Sequence, residues 1–445
     1  MSSNTIQRVA SASMYDSAIR NLSQRQGALV NLQENLTSGK RVVRASDDPV
    51  AAAQAERALT RLSRLQSEQR QLELQRGVVA QAESTLGDAI GLVQEMRQLL
   101  VAAGNGSLKP EDRQTYAVQL QSLQDQLKEV INRKDVNGMP LLGALGSALA
   151  PFVGPVSGAA DYLYNGLPGQ AGSQGSGIAA QFDGHAALMF DPQRDGMYGA
   201  AISTTNAANP LSGRQFSTTE VKVEHPELIP RNTTAGGQPY AYQVVFGATT
   251  LNADGSYDIS YQVLRDDGTT LVGPTTIGNL EADKAQELPI GFTDGGASFS
   301  FTLKALPQRD ASGALIASPE NGDTIDIAAT SSLMGTLDDV IGGLRKAGNS
   351  NAGIQAVGQA LAQVDYAMDQ LNNVRGYAGE LLNRAERISG DQGSRAIQLE
   401  ADRSRAEDLD MVKGISDFQN ASVGYQAALQ SYAMVQKLSL FNYIG

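Results

Sequence analysis

Apolar and aromatic residues recur at alternating spacings of four and three at both ends of the chain. This spacing draws one stripe along a helix, as in a coiled coil. A single helix cannot bury such a stripe alone, so we predict that the two terminal helices pair antiparallel. Glutamine and serine at other seam positions should make the pair weak in isolation. The predicted assembly seam comprises Tyr15, Ile19, Leu22, Leu29, Leu36, Met411, Ile415, Phe418, Tyr425, Leu429 and Tyr432.

Similar stripes continue inward from both ends. One runs from Pro49 towards Ala103, where a helix at 1.5 Å per residue would be roughly 80 Å long. Pro110 opens a second predicted helix that ends near Arg133, and a third stripe begins at Ile354. These segments predict a bundle of three long helices.

The middle of the chain has a different pattern. AYQVVFGATT, SYDISYQVLR and ASFSFTLKAL alternate apolar and polar residues, and Asp-Gly pairs mark turns between strands. The predicted fold is therefore mainly α with a β-rich insertion, an elongated rod of several domains. We predict a terminal helical domain of residues 1–45 and 405–445, a bundle with a β-hairpin of residues 46–200 and 325–404, and an outer β domain of residues 201–324.

The string SGKRVVRASDDP, residues 38–49, interrupts the first helical stretch. Gly39 should end one helix, and an Asp48 N-cap before Pro49 should start the next. Antiparallel pairing would also bring two oppositely charged sets together, which could fix the register of the arms. The joint set is therefore Gly39, Lys40, Arg41, Arg44, Asp47, Asp48, Pro49, Glu407, Asp408 and Asp410.

Other interpretations of these residues are weaker. Asp47 and Asp48 could be half of a divalent-cation site, but capping beside a proline is favoured. NADGSYD, residues 252–258, faintly resembles a calcium-binding loop. It lacks the distal glutamate and the spacing of such a loop, so a hairpin turn is favoured. His185 and His225 are expected to be ordinary surface or turn residues. Neither a metal nor a cofactor is predicted.

Composition excludes several classes of function. The net charge is −12 with no basic patch, which argues against nucleic-acid and membrane partners. Cysteine is absent, so thiol chemistry is excluded. The first residues lack the apolar core of a signal peptide, and we expect no entry into the general secretory route. No nucleophile motif or phosphate loop is present, so we expect a protein that is not an enzyme.

Three stretches carry a resemblance to a known family. NLQENLTSGKRVVRASDDPVAAAQA, INRKDVNGMPLL and the terminal MVQKLSLFNYIG resemble the flagellin superfamily. The last stretch and the opening residues look more like the members that join hook and filament than like flagellin itself. The resemblance covers roughly the first 200 and the last 110 residues and leaves the β-rich insertion outside it.

The resemblance implies an architecture and a place in the cell. Such proteins form axial tubes through paired terminal helices, with a helical bundle and a β domain further out. They leave the cell through the flagellar type III export channel. The implied partners are further copies of the chain in a ring, the first hook-associated protein, flagellin and an export chaperone at the C-terminal helix. Flagellin itself, or another secreted coiled-coil assembly protein or adhesin, is the alternative.

Overall fold

The computed structural model describes residues 3–144, 149–155, 162–167, 178, 182–207, 210–211, 216–232, 238–309, 313, 315–347 and 350–444. Side chains are described from residue 16 to residue 434 within these ranges. None of the helices, as far as they are described, is both long and apolar enough to cross a membrane.

Long helices lie at both ends of the chain, and strands fill the middle. The helices are α1 Ser3–Ser38, α2 Pro49–Ala103, α3 Pro110–Ile131, α4 Gly184–Leu188, α5 Pro192–Asp195, α6 Leu333–Lys346, α7 Ser350–Glu407 and α8 Met411–Ile444, with a 3-10 turn at Pro226–Leu228. The strands are β1 Phe152–Val153, β2 Leu163–Tyr164, β3 Tyr198–Thr204, β4 Phe216–Thr218, β5 Lys222–Glu224, β6 Arg231–Asn232, β7 Gln238–Pro239, β8 Tyr242–Leu251, β9 Tyr257–Arg265, β10 Thr270–Leu280, β11 Gln286–Asp294, β12 Ala297–Ala305, β13 Gln308–Arg309, β14 Leu315–Ile316 and β15 Asp323–Ala329. The mainly α fold with a β-rich insertion is confirmed.

The chain forms two compact units. The first contains residues 1–72 and 386–445, and the second contains residues 73–385. The chain passes from one unit to the other inside α2 and α7. The three-domain division drawn from the sequence stays a prediction.

The helical part of the second unit has a continuous apolar core. Val79, Leu86, Val93 and Leu100 of α2 are fully buried, and they lie seven residues apart as the heptad pattern predicts. Burial of each large aliphatic side chain contributes about 1.5–3 kcal/mol. Local chemistry fixes the ends of α3, where Pro110 occupies the first turn and Asp112 accepts a hydrogen bond from the backbone of Lys109.

The β region of the second unit is a sandwich of two antiparallel sheets. One sheet has the order β10-β9-β8-β15-β3, and the other has the order β11-β12-β4, with β5 also paired to β12. Alternate residues of β9 and β12 are buried, as a half-buried strand requires. Phe292 and Phe299 are paired neighbours in the second sheet and stack with ring centroids 4.7 Å apart, and Tyr242 of the first sheet lies 4.8 Å from Phe299.

The chain enters and leaves the sandwich at neighbouring points. Strands β3 and β15 pair antiparallel, and beyond them Thr205 N–H donates to the carbonyl of Gly322 at 2.9 Å. Gly255, Gly268 and Gly295 follow aspartates at hairpin turns and have φ of +86°, +87° and +62°. The left-handed backbone at these turns favours glycine, so the Asp-Gly signals are confirmed as turns.

A short hairpin, β1 paired with β2, precedes the sandwich. The sequence placed DYLYNG, GIAAQFDG and ALMF in this hairpin region. Ala187 and Leu188 of ALMF instead end helix α4, because Asp183 accepts a hydrogen bond from His185 N–H and starts a helical turn there. Half of GIAAQFDG lies outside the described residues.

Candidate assembly surface

The terminal helices α1 and α8 pack against each other within the first unit. A Cβ built on Gly414 would lie 3.2 Å from the Leu36 side chain, and one built on Gly424 would lie 3.1 Å from Arg25. Residue numbers fall along α1 as they rise along α8. The helices are therefore antiparallel, as the sequence predicted.

Only part of the predicted seam is buried in the structure. Leu22, Leu29, Leu36, Phe418, Tyr425 and Tyr432 are partly buried. Ile19, Met411, Ile415 and Leu429 remain between 42% and 47% exposed. The Tyr15 side chain lies outside the described residues. Whether these residues form an assembly seam between molecules stays a prediction.

Small residues of α8 lie level with the leucines of α1, alongside the partly buried Phe418, Tyr425 and Tyr432. Gly414 is buried beside Leu36. The antiparallel register places Ala421 level with Leu29 and Ala428 level with Leu22, and both alanines are partly buried. The bulky side chains alone did not indicate this line of small residues. The signal was present in the small residues Gly414, Ala421 and Ala428, which are spaced by sevens.

Outside the contact between α1 and α8, several large apolar side chains remain exposed. On α8, Val412 is 82% exposed, Val423 66% and Met434 65%, and on α1 Val30 is 53% exposed. Together with Ile19, Met411, Ile415 and Leu429 they make up an apolar set that we call the exposed stripe. Val412, Val423 and Met434 recur every eleven residues and so share one face of α8, and apolar side chains exposed on one face can take part in an interface.

Backbone hydrogen bonds hold the joint between the arms. Leu409 N–H donates to the Gly39 carbonyl at 2.9 Å, and Arg41 N–H donates to the Glu407 carbonyl at 2.8 Å. Val42 N–H reaches the same Glu407 carbonyl at 3.3 Å, and the Val42 side chain is buried. These bonds run like a short antiparallel ladder between residues 39–42 and 407–409.

Local capping sets the two helix ends at the joint. Gly39 ends α1 with φ of +68°, a left-handed conformation that suits glycine. Asp47 accepts from Arg44 N–H at 2.8 Å, and Asp48 accepts from Ala51 N–H at 3.0 Å. The Ala51 N–H, followed by the Arg41 guanidinium, lowers the pKa of the Asp48 carboxyl. The predicted Asp48 cap before Pro49 is therefore present.

The charges do not face each other as three opposed pairs. Lys40 forms an ion pair with Glu407 across the joint. Arg41 instead pairs with Asp48 at 3.2 Å and donates to the Ala406 carbonyl at 2.9 Å. Arg44 pairs with Glu34 at 3.0 Å, back along its own arm.

The acidic residues of the joint also have local partners. Asp410 caps α8 by accepting from Val412 N–H and Lys413 N–H, both at 3.1 Å. Asp408 is exposed and takes part in the backbone bridge to Lys40. Local backbone donors lie closer to Asp47, Asp48 and Asp410 than any distant cation does, so capping prevails over pairing across the joint.

No metal centre is indicated in the described part of the chain, where no group of three or more His, Asp or Glu side chains could hold an ion. The NADGSYD segment is the turn between β8 and β9. Its Asp254 accepts from Ser256 N–H at 3.0 Å, and its Asp258 accepts from Asn279 N–H at 2.9 Å. His225 is exposed in a turn, whereas His185 is partly buried.

Comparisons with known proteins agree with this geometry. Residues 9–145 match the family model described as the bacterial flagellin N-terminal helical region. The chain carries a flagellin-type N-terminal region. It is also 34% identical over 149 residues to flagellar hook-associated protein 3 of Salmonella typhimurium, an alignment that covers 33% of this chain and 46% of that protein. The match thus spans about half the length of that relative.

Two further relatives extend over more of the chain. A flagellin of Clostridium tyrobutyricum is 22% identical over 419 residues, which cover 93% of this chain and 95% of that protein. The crystal structure of the flagellar junction protein FlgL from Legionella pneumophila superposes with a TM-score of 0.54 at 24% identity, covering 74% of this chain and 98% of that one. The fold of this chain, which includes the region matched by the flagellin model, thus resembles that of a flagellar junction protein.

Proposed function

We propose that this protein is a structural subunit of the bacterial flagellum, located at the junction between hook and filament, and that it has no catalytic role. The observation that carries the proposal is the exposed stripe on the paired terminal helices. Val412, Val423 and Met434 are 65–82% exposed on one face of α8, and neighbouring copies in a tube would cover them. The similarity to hook-associated protein 3 supports the same assignment.

Assembly would give the weak terminal pair its stability. A ring of copies would cover the exposed stripe of each subunit. The ring would have two open edges, or rims, and a different protein would cover each of them. On this proposal the first hook-associated protein contacts the rim towards the hook, and flagellin contacts the rim towards the filament. The joint at Gly39 and Leu409 would fix the angle between the terminal helices and the adjoining ends of α2 and α7 within the first unit.

The same exposed stripe requires protection before assembly. We propose export through the flagellar type III apparatus to the extracellular junction, with a chaperone bound to α8 in the cytoplasm. Val412, Val423 and Met434 are the residues on which such a chaperone could close. A strain with an inactive flagellar export apparatus should retain the protein inside the cell.

Removal of the gene from the source bacterium tests the proposal. Electron microscopy should show hooks without filaments, and cells should lose motility. Complementation with Val423→Ser and Met434→Ser together should fail to restore filaments, whereas Gln398→Ser on the exposed surface of α7 should restore them. Intact filaments in the deletion strain would contradict a junction role and favour an adhesin or another secreted assembly protein.

A filament subunit is the second candidate. The alignment with the Clostridium tyrobutyricum flagellin covers 93% of this chain, which favours it as the alternative. Immunogold labelling separates the two: a junction protein is labelled at one point above the hook, whereas a flagellin is labelled along the whole filament.

A further inference from the structure

Four carboxamide side chains follow one another at every fourth residue of α7. They are Asn351, Gln355, Gln359 and Gln363, and this spacing places them on one face of the helix. All four belong to the second unit, and their partners lie in or beside the β sandwich. The function proposed above makes no use of them.

Gln355 and Gln359, the middle two of the four, bind the backbone C=O and N–H of one residue in β3. Gln355 Nε2 donates to the Ala200 carbonyl at 2.8 Å, and Ala200 N–H donates to Gln359 Oε1 at 3.3 Å. Strand β3 is the last strand of its sheet, so these backbone groups point away from β15. The two glutamines occupy the position that another strand would take.

The same two glutamines also bind the edge of the second sheet. Thr218 N–H donates to Gln355 Oε1 at 2.6 Å, and Gln359 Nε2 donates to the Thr219 carbonyl at 2.7 Å. Asn351 Nδ2 donates to the Phe216 carbonyl. Strand β4 ends the main order of that sheet, so α7 lies along one edge of each sheet.

Helix and strand dimensions make this arrangement possible. Four residues of helix rise about 6.0 Å, and two residues of strand advance about 6.6 Å. A carboxamide carries one acceptor and an N–H donor, like a peptide group. In this protein the two glutamines, one helical turn apart, meet the C=O and the N–H that Ala200 directs outward. Unpaired sheet edges otherwise template aggregation.

We propose that Gln355 and Gln359 act as a surrogate β-strand that closes the edges of both sheets and fixes the orientation of the sandwich on α7. A cavity of about 1260 Å³ borders both glutamines together with Ala200 and Phe216. The hydrogen bonds of the two glutamines link α7 to both sheets beside this cavity, and on this proposal they set the orientation. Gln363 has another role, because it binds Thr330 and Thr336 at the start of α6.

Hydrogen exchange of the full chain tests the edge-closing role. In a Gln355→Leu, Gln359→Leu double variant, exchange at the amides of Ala200 and Thr218 should accelerate about tenfold, since each loses a hydrogen bond. The central-strand amide of Val244 should not change. A Gln398→Leu variant makes the same chemical change on the exposed surface of α7 and should leave all three amides unaffected.

A conservative variant protects this test against misfolding. Gln355→Glu keeps an acceptor for Thr218 N–H and removes the donor to the Ala200 carbonyl. The Thr218 amide should remain protected in this variant, whereas Gln355→Leu should expose it. Equal exchange at Thr218 in both variants and the parent would overturn the proposal.

The orientation claim has its own measurement. The chain contains no cysteine, so spin labels at Ser300→Cys and Asp369→Cys, both exposed, report one distance between β12 and α7. Pulsed electron paramagnetic resonance should give a narrow distribution of label-to-label distances in the parent and a clearly broader one in the Gln355→Leu, Gln359→Leu variant. An unchanged distribution would overturn the claim.

Discussion

The stripes of α2 and of the α1–α8 pair look alike in sequence but are buried to different extents. Val79, Leu86 and Leu100 of α2 are fully buried, because several elements of the second unit surround them. In the terminal pair, Leu29 is only partly buried, and Ile415 is 47% exposed. A seam between two helices covers one side of each, whereas a bundle covers most of the apolar arc. The same heptad pattern thus yields a core along α2 and an open surface on the terminal pair.

The largest expected effect comes from truncating a leucine in each stripe. Leu86→Ala should lower the free energy of unfolding by about 2–5 kcal/mol, since it leaves a cavity in a closed core. Leu29→Ala should cost less than about 1.5 kcal/mol, since its side chain is already partly hydrated. Urea unfolding followed by circular dichroism measures both. Equal losses would mean that the terminal seam is as closed as the bundle.

A second test uses two glycines of the first unit. Gly39 has φ of +68°, so Gly39→Ala should destabilise the joint by about 1–2 kcal/mol. Gly27 is exposed inside α1 with open space around it, and Gly27→Ala should stabilise that helix by about 0.8–1 kcal/mol. Thermal unfolding should shift in opposite directions. A shift in the same direction would show that the joint tolerates a right-handed backbone.

The ion pair across the joint should have a smaller effect. Glu407→Lys places a cation beside Lys40 and should cost up to about 1 kcal/mol, and adding Lys40→Glu should recover most of it. Arg44→Glu should give no such recovery, because Arg44 contacts Glu34 instead. Added salt should shrink every difference. Recovery by Arg44→Glu would show that the charges act collectively and not as one pair.

The smallest effect concerns His185 in the second unit. Burial lowers the pKa of His185 below its ordinary 6.5, against the opposing influence of Asp183, Asp191 and Asp195. The unfolded chain therefore takes up the proton first, and stability falls as the pH drops from above 6.5 towards the folded value. The thermal midpoint of the parent should fall slightly more between pH 8 and pH 5 than that of His185→Gln. Parallel curves would show that His185 is hydrated in the folded protein.

Local sequence chemistry was enough to place the end of α1 and the starts of α2 and α3. Pro49 and Pro110 open α2 and α3, Gly39 ends α1, and Asp48 caps α2 as predicted. These features depend on φ restrictions and on donors within three or four residues, which the sequence specifies directly. The Asp-Gly turns of the sandwich belong to the same class, and the antiparallel pairing of the arms followed from their two unpaired stripes.

The partner of each side chain was decided only by the tertiary structure. Sequence alone did not indicate that Gly414 would pack on Leu36, that Arg41 would turn to Asp48 and Ala406, or that Gln355 would bind Ala200 and Thr218. In each case several groups could contact the same residue, and folding decides which of them comes within about 3 Å. Helical periodicity fixes which residues share a face. Which flank of that face meets another element depends on how closely two backbones can approach, and that distance is set by the whole packed unit.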